Sequence, residues 1–295
     1  MLRYCGHRGT VTALAFSPRG DLLASAGKDG AVRLWDPPRE EAVLEESAPA
    51  PACLAFSPDG QTLAAGGGKP GVRFWDVPGG RPRAGLPTAF GAVTGVAFLQ
   101  GGALLAVGHG AADRTAAEPG GVEVIDLRPE QPARSMTHEP HGVAALASSP
   151  AAGLLAWATG NRTVVVRDLT RPDPVAFAPK QPVRDLALAP GGGRLAVAAG
   201  WEVKVYDPAR RRECFTLTGH RGVVSRVAFH PGGKVLASGS WDQTVRFWDV
   251  GTGRELAVFS WPAGRVYALA FAPDGLRAAA GGDQGTICVW DVDEG

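Results

Sequence analysis

The sequence is poor in cysteine. Its 295 residues include four, and no two of them form a Cys-x-x-Cys pair: Cys5, Cys53, Cys214 and Cys288. Zinc sites and redox dithiols use closely spaced cysteines, and disulfide frameworks occur in short secreted chains that are dense in them. We therefore expect isolated thiols in a reducing compartment, with no bound metal and no redox function.

Net charge and long apolar runs are also missing. Thirty lysines and arginines face 29 aspartates and glutamates, which leaves a formal charge of +1. The chain therefore lacks the broad positive field of general nucleic-acid and acidic-membrane binders. No stretch approaches about 18 consecutive apolar residues, and the start, MLRYCGHRG, does not resemble a secretory signal. The sequence predicts a cytoplasmic protein that binds neither nucleic acid nor membrane.

What the sequence does have is a repeat. An aromatic or aliphatic residue followed by aspartate returns at intervals of about 42 residues, with one degenerate copy at Arg167-Asp168. Seven such units account for the whole length, and 41 glycines and 24 prolines supply frequent turns. The other six pairs are Trp35-Asp36, Trp75-Asp76, Ile125-Asp126, Tyr206-Asp207, Trp248-Asp249 and Trp290-Asp291.

Each unit reads as four short strands. A first apolar run, such as VTALAF at 11–16, ends at a Pro or Gly turn and is too short for a helix. A second run follows, as in LLASAG at 22–27, and after a tight turn comes an alternating run such as AVRLWD at 31–36. A weaker fourth run completes the unit. The sequence therefore predicts an all-β protein of four-stranded antiparallel units.

Gly-His near the start and Trp-Asp near the end of such a unit are typical of the WD40 repeat. The chain resembles a seven-bladed WD40 β-propeller over its full length, which implies a single domain at 1–295. The last unit stops after its third run, and LRYC at 2–5 stands directly before Gly6-His7. We therefore expect the N-terminal strand to complete the last blade and close the ring.

Two units carry the full polar tetrad of the WD40 family. The resemblance implies that Asp binds His, His binds Ser and Ser binds the indole N–H, so that no buried polar group lacks a partner. Ser, His and Asp also make hydrolase triads, but the sequence has no G-x-S-x-G and the repeat places these serines in mid-strand. We interpret both sets as architecture and predict no enzymatic activity. The sets are His7, Ser25, Asp29 and Trp35, and His220, Ser238, Asp242 and Trp248.

Three further polar clusters have plain interpretations. His138 and His141 form a His-x-x-His pair, but no other ligand accompanies them. The basic run at 210–212 reads as a solvated hairpin turn. The insertion at 109–121, which begins with His109 and includes Asp113, Arg114 and Glu118, is expected to be a solvated loop, with a lid or contact arm as the alternative.

Three of the eight tryptophans have no place in the repeat. The resemblance puts Trp201, Trp241 and Trp261 at one face of the ring, over neighbouring blades. Residues that flank the first valine of each first strand also face that opening in the family. Most of them are small, such as Thr12, Thr94 and Ser225, and the large ones are Arg184, Arg265 and Tyr267.

Trp, Tyr and Arg dominate binding hot spots. We predict a partner-binding site in which the arginines pair with acidic groups; the alternative is that the rings only fill the rim. The predicted site consists of Trp201, Trp241, Trp261, Tyr267, Arg184 and Arg265.

The sequence thus favours a monomeric, non-catalytic scaffold that binds a protein or peptide and uses no cofactor. One alternative is a sensory or regulatory module of a larger bacterial signalling protein, since 25 arginines against five lysines suggest a GC-rich bacterial source. Another is a small-ligand or enzymatic propeller with its site in the central channel. Against it, the inward positions of the first strands are mainly small or aliphatic.

Overall fold

The computed structural model describes residues 2–36, 41–47, 51–77, 79–110, 119–128, 134–171, 173–260 and 264–292. Within these ranges lie seven antiparallel sheets of four strands each. The first strands of adjacent sheets pack against one another around a ring, from β2 (Val11–Phe16) through to β26 (Val266–Phe271). The predicted all-β, seven-bladed propeller is confirmed.

Four strands in chain order make each of the first four blades. Blade one holds β2, β3 (Leu23–Gly27), β4 (Ala31–Asp36) and β5 (Glu41–Ser47). Blade two holds β6 (Pro51–Phe56), β7 (Thr62–Gly67), β8 (Val72–Asp76) and β9 (Arg81–Leu86). Blade three holds β10 (Val93–Leu99), β11 (Leu104–His109), β12 (Gly120–Asp126) and β13 (Arg134–Glu139). Blade four holds β14 (Val143–Ser149), β15 (Leu154–Thr159), β16 (Val164–Asp168) and β17 (Val175–Phe177).

The remaining blades follow the same order, except that the last one takes its outer strand from the other end of the chain. Blade five holds β18 (Val183–Leu188), β19 (Leu195–Ala199), β20 (Glu202–Asp207) and β21 (Arg212–Leu217). Blade six holds β22 (Val224–Phe229), β23 (Val235–Ser240), β24 (Thr244–Asp249) and β25 (Glu255–Ser260). Blade seven holds β26, β27 (Arg277–Gly282), β28 (Thr286–Asp291) and β1 (Leu2–Cys5).

The N-terminal strand closes the ring as the sequence predicts. β1 pairs antiparallel with β28, with Tyr4 opposite Ile287. Tyr4 is buried, and its ring centroid lies 5.2 Å from that of Trp35 in blade one. One side chain of β1 therefore links the last blade to the first, so this strand both completes a sheet and joins two blades.

The core consists of apolar clusters between neighbouring blades. Trp248, for example, packs on Val203 and Val205 of blade five. A glycine is often the second-last residue of the second strand, where the first valine of the next blade approaches: a Cβ on Gly239 would lie 2.5 Å from a methyl group of Val266. The small residues of the second strands thus let adjacent blades pack closely. In the described part of the chain, no helix has the length and apolar character needed to cross a membrane.

Candidate functional site

One end of the ring carries the predicted site. The first strand of each blade begins there, and because the strands are antiparallel the turn between the second and third strands lies at the same end. We call this end the top face. Trp201 and Trp241 lie in the turns that follow β19 and β23, and Arg265 directly precedes β26.

A β-bulge interrupts the pairing of the first and second strands in all seven blades. A β-bulge inserts one extra residue into a strand and changes the direction in which the side chain of that residue points. In three blades that residue donates a hydroxyl hydrogen bond to a carbonyl of the next blade: Thr12 to Pro51 at 2.7 Å, Thr94 to Val143 at 2.7 Å and Ser225 to Val266 at 2.5 Å.

The expectation that Thr94 and Ser225 face the top opening is therefore wrong, since both are buried. Thr12 makes the same contact but stays partly exposed. The physical reason is the bulge, which turns the hydroxyl sideways towards a backbone carbonyl that has to be satisfied. In blades five and seven the same position holds the large residues Arg184 and Tyr267.

Four of the six predicted site residues lie together around the Trp241 ring. The Cζ atoms of Arg184 and Arg265 are 5.2 and 5.8 Å from its centroid, within the range of cation–π attraction. The Tyr267 ring is 5.7 Å away at an interplanar angle of 37°. Blades five and seven thus reach the ring from either side of blade six. We call Trp241, Arg184, Arg265 and Tyr267 the Trp241 cluster.

The Trp241 cluster contains a polar atom without a partner. The indole Nε1 of Trp241 is buried, and no acceptor in the described structure lies within hydrogen-bonding distance of it. The Trp241 amide donates to the Val223 carbonyl at 3.0 Å, so the indole N–H is the donor of this residue that is left for a solvent molecule or a partner.

Trp201 lines a pocket beside the cluster. The pocket has a volume of about 500 Å³ and also includes Gln181, Arg184, Glu202 and Val223. Trp201 is 60% exposed, whereas Trp241 is half-buried. The amide of Val224 donates to the Gly200 carbonyl at 2.8 Å, which fixes the junction of blades five and six beneath the pocket. Arg184 belongs to both the pocket and the Trp241 cluster, so the two are continuous.

The sixth predicted residue, Trp261, lies outside the described residues. Gln181 and Glu202 are not among the predicted site residues, because neither is of a typical hot-spot type. Both lie near predicted residues: Gln181 is three residues before Arg184, and Glu202 follows Trp201. Their nearness to predicted residues is the signal that could have identified them.

The two tetrads form continuous hydrogen-bonded chains. In blade six the Trp248 indole donates to Ser238 Oγ at 2.8 Å, Ser238 Oγ lies 2.8 Å from His220 Nε2, and His220 Nδ1 lies 2.9 Å from Asp242. In blade one the same atoms of Trp35, Ser25, His7 and Asp29 are separated by 2.8, 2.7 and 2.9 Å.

Burial decides what the tetrads can do chemically. Ser25 and Ser238 are fully buried, so neither hydroxyl can reach a substrate carbonyl. Burial lowers the pKa of His220, although the bond to Asp242 partly offsets this. Burial opposes ionisation of Asp242, but hydrogen bonds from Thr244, the Arg221 amide and His220 prevail and hold its pKa at about 2. A neutral histidine and an ionised aspartate stabilise the blade.

Blade three replaces the tetrad with a different buried pair. His109 and Glu123 are both fully buried, and His109 Nε2 lies 2.9 Å from the Glu123 carboxylate, which also accepts the Ala89 amide at 3.2 Å. Burial lowers the pKa of His109, with Glu123 opposing the shift. Glu123 is opposite Val107 in the sheet, just as Arg33 is opposite Ser25 in blade one.

The prediction that His109 lies in a solvated insertion is wrong. β11 continues through His109, which pairs with Gly121 of β12, so both ends of the 109–121 segment belong to the sheet. Residues 111–118, with Asp113, Arg114 and Glu118, lie outside the described residues.

The other polar clusters have ordinary surroundings. His138 is exposed on β13, with its ring edge-on to Phe90 at 5.8 Å. Within the described ranges, no group of three His, Cys, Asp or Glu side chains is placed to hold a metal ion. Arg210 pairs with the buried Asp207 at 2.7 Å, and hydrogen bonds from Arg210 lower the pKa of that carboxyl. Arg210 therefore anchors its own turn.

The central channel holds two charged residues that the sequence analysis did not single out. The Arg226 guanidinium donates to the Ser225 carbonyl at 2.8 Å and to the Thr12 carbonyl of blade one at 2.9 Å. Asp185 accepts the Val227 amide at 3.0 Å. The cavity that they line is about 170 Å³ and is bounded by first-strand residues of all seven blades. The Arg226 side chain therefore links blade six to blade one across the channel by a hydrogen bond.

Comparison with known families agrees with this geometry. The model of the family described as "WD domain, G-beta repeat" matches residues 1–36, 43–76, 211–249 and 253–291, which is just over half of the chain. The chain belongs to the WD40 family. The matched units include both complete tetrads and the closing strand of this WD40 propeller.

Individual relatives match short parts of the propeller. A periodic tryptophan protein 2 homolog of Schizosaccharomyces pombe is 35% identical over 86 residues, which are 28% of this chain and 9% of the relative. An intraflagellar transport protein 122 homolog of Danio rerio is 44% identical over 69 residues, 23% of this chain and 6% of the relative. Nuclear distribution protein PAC1-2 of Postia placenta is 47% identical over 57 residues, 16% of this chain and 13% of the relative.

These matches cover only a small part of each relative's length. All three relatives are eukaryotic, and they give no support to the expectation of a bacterial source.

Proposed function

We propose that this WD40 propeller is a cytoplasmic scaffold that binds a protein partner through its top face over blades five to seven. WD40 propellers generally act by binding proteins, and the position of the site is the step proposed here. The observation that supports it is the Trp241 cluster, in which arginines from two blades are gathered around one ring beside an open pocket.

The charges of the Trp241 cluster suit an acidic group on the partner. Since both Cζ atoms lie within 6 Å of one centroid, they are at most about 11 Å apart. The repulsion between the two charges in water is about 0.4 kcal/mol at that upper limit and rises to about 1 kcal/mol at 4 Å. Two exposed cation–π contacts, at about 0.5–1 kcal/mol each, offset a repulsion of this size. The Trp241 ring therefore helps to keep both guanidinium groups in place. No ion pair of Arg265 occurs in the described structure, and a carboxylate would supply one.

Trp201 and Trp241 have different roles in this proposal. Trp241 is half-buried and surrounded by its neighbours, so it positions the arginines. Trp201 is exposed at the pocket wall and can contact the partner directly. An apolar side chain in the pocket, next to an acidic one facing the arginines, would bury Trp201 and satisfy Arg265 together.

Replacing Trp201 with alanine tests the site. Proteins retained by the immobilised wild type from lysate of the source cell are identified, and the affinity of the recovered partner is measured by titration calorimetry. We expect Trp201→Ala to weaken binding by about 2 kcal/mol or more, roughly thirtyfold, without lowering the melting temperature. Arg265→Ala should mainly slow association and reduce its salt dependence.

Met136→Ala is the matched control, because Met136 is also an exposed apolar residue, at 54%, but lies on the outer strand of blade three. If Trp201→Ala binds like the wild type, or if Met136→Ala loses as much affinity, the partner binds elsewhere.

A further inference from the structure

The outer strand of blade six, β25, differs from the other strand edges of the ring. Six large apolar side chains in the described structure are exposed, and three of them lie in this strand: Leu256 at 57%, Val258 at 42% and Phe259 at 47%. β25 pairs with β24 on one side only, so the backbone groups of its other edge have no strand partner among the described residues. An open edge with apolar side chains is a template for another strand.

Other outer strands of the same ring carry features that discourage edge pairing. β9 has Pro82 and Arg83, β21 has Glu213, and β17 is only three residues long. Charge, proline, short length and β-bulges are the usual means by which exposed edges avoid association. β25 has a bulge at Leu256, as β21 has one at Cys214, but residues 256–259 read LAVF and include no charge and no proline. Its one charged residue, Glu255, forms an ion pair with Arg246 of the neighbouring strand.

We propose that β25 pairs antiparallel with β25 of a second copy of this chain, about a two-fold axis through Val258. This symmetry keeps side chains of one face on that face, so that Val258 meets its own copy and Ala257 meets Phe259 of the second copy. Leu256 then faces Ser260 of the second copy. In this register Glu255 is six residues away from its own copy along the ladder, and no like charges meet.

A second copy fits this edge because the strand is complementary to itself. In the proposed register Ala257, Val258 and Phe259 face apolar residues of the second copy, and Leu256 faces Ser260, so the centre of the contact is apolar and its ends are polar. The contact joins two blades into one eight-stranded sheet. One six-residue edge buries less than the roughly 1,200 Å² of a standard stable interface, so the dimer is a weak, concentration-dependent one. A monomer is expected from the sequence, and β25 is the feature that favours a dimer.

Sedimentation velocity over a concentration series tests the dimer. We expect the wild type to associate reversibly and Val258→Lys to raise the dissociation constant at least about tenfold, since two lysines would meet on the axis. Leu256→Lys is a second variant with the same expected direction, and Met136→Lys, on the outer strand of blade three, should associate like the wild type. A wild type that stays monomeric up to its solubility limit overturns the proposal, as does equal association of Val258→Lys.

Cysteine cross-linking tests the register. In a Cys5→Ser background, which removes the exposed thiol, Val258→Cys should give a covalent dimer with a mild copper–phenanthroline oxidant, because residue 258 faces its own copy. Leu256→Cys and Met136→Cys should not. Cross-linking of Leu256→Cys in preference to Val258→Cys would refute the two-fold axis. The dimer is independent of the proposed top-face site, and Trp201→Ala should leave it unchanged.

Discussion

Replacing Asp242 with alanine removes the acceptor at the end of the blade-six tetrad. The carboxylate accepts four hydrogen bonds: from His220 at 2.9 Å, from the Arg221 amide at 2.8 Å, and from the amide and hydroxyl of Thr244 at 2.9 and 2.7 Å. The variant loses all of them, but the donors differ in whether water can replace the carboxylate.

The histidine loses the most. His220 is buried, and the Thr244 hydroxyl, 3.1 Å from Nδ1, is the group that remains near it, so the loss of the carboxylate costs about 1–3 kcal/mol. The Arg221 amide is exposed and Thr244 is partly exposed, so water can satisfy those donors, and the net loss there is about 0.5–1.5 kcal/mol. We therefore expect Asp242→Ala to lower the free energy of unfolding by about 2–4 kcal/mol.

Urea unfolding followed by circular dichroism measures this loss, and native-state hydrogen exchange locates it. Amides of β22 to β24 should exchange faster than those of blade three. The control is Asp249→Ala, because Asp249 also accepts two bonds, both from Thr252, but at an exposed turn. A loss for Asp242→Ala no larger than for Asp249→Ala would refute the argument from burial. Ester hydrolysis by the wild type that disappears in Ser238→Ala would instead show that the set is catalytic.

Two further predictions concern closure and pH. Deleting residues 2–5 removes the strand that pairs with β28 and the Tyr4 ring that packs on Trp35, so the variant should aggregate in light scattering or unfold less cooperatively; unchanged monomeric melting would contradict this. Burial lowers the pKa of His109 and His220 below the ordinary 6.5, so the unfolded state binds more protons below that pH. Their contribution to stability is present above pH 6.5 and is lost as the pH falls below it, so urea midpoints should drop from pH 7 to pH 5, and less steeply in His109→Gln. A midpoint independent of pH in this range would contradict the assignment of neutral histidines.

The fold could be predicted from the sequence because several patterns agree on it. The Trp-Asp spacing, the short apolar runs and the turn residues all have the same period, and each follows from packing that recurs in every blade. Trp35 and Trp248 each lie against the preceding blade, for example. Closure could be predicted as well, because β1 supplies the one strand that the last unit lacks.

The buried polar pair of blade three and the end of its second strand could not be predicted from the sequence. Its buried pair, His109 and Glu123, has no counterpart in the repeat, and the two residues are separated by an insertion. A histidine followed by Gly, Ala and Asp is typical of a loop, and sequence patterns do not show that a strand extends through this histidine because it bonds to a carboxylate buried in the neighbouring strand. Only the register, which pairs His109 with Gly121, reveals this.

The candidate site shows how one backbone feature serves two purposes. The bulge in each first strand turns its extra residue sideways, and a residue as small as Thr94 or Ser225 then bonds to the next blade. Arg184 and Tyr267 occupy the same bulge but are too long for that contact, and both reach the Trp241 ring of the blade between them. The size of these residues is visible in the sequence but the bulge is not, so the sequence could not separate the residues that bond to the next blade from those of the candidate site. At the shared bulge position, a short side chain bonds to the next blade, whereas a long one contributes to the Trp241 cluster on the top face.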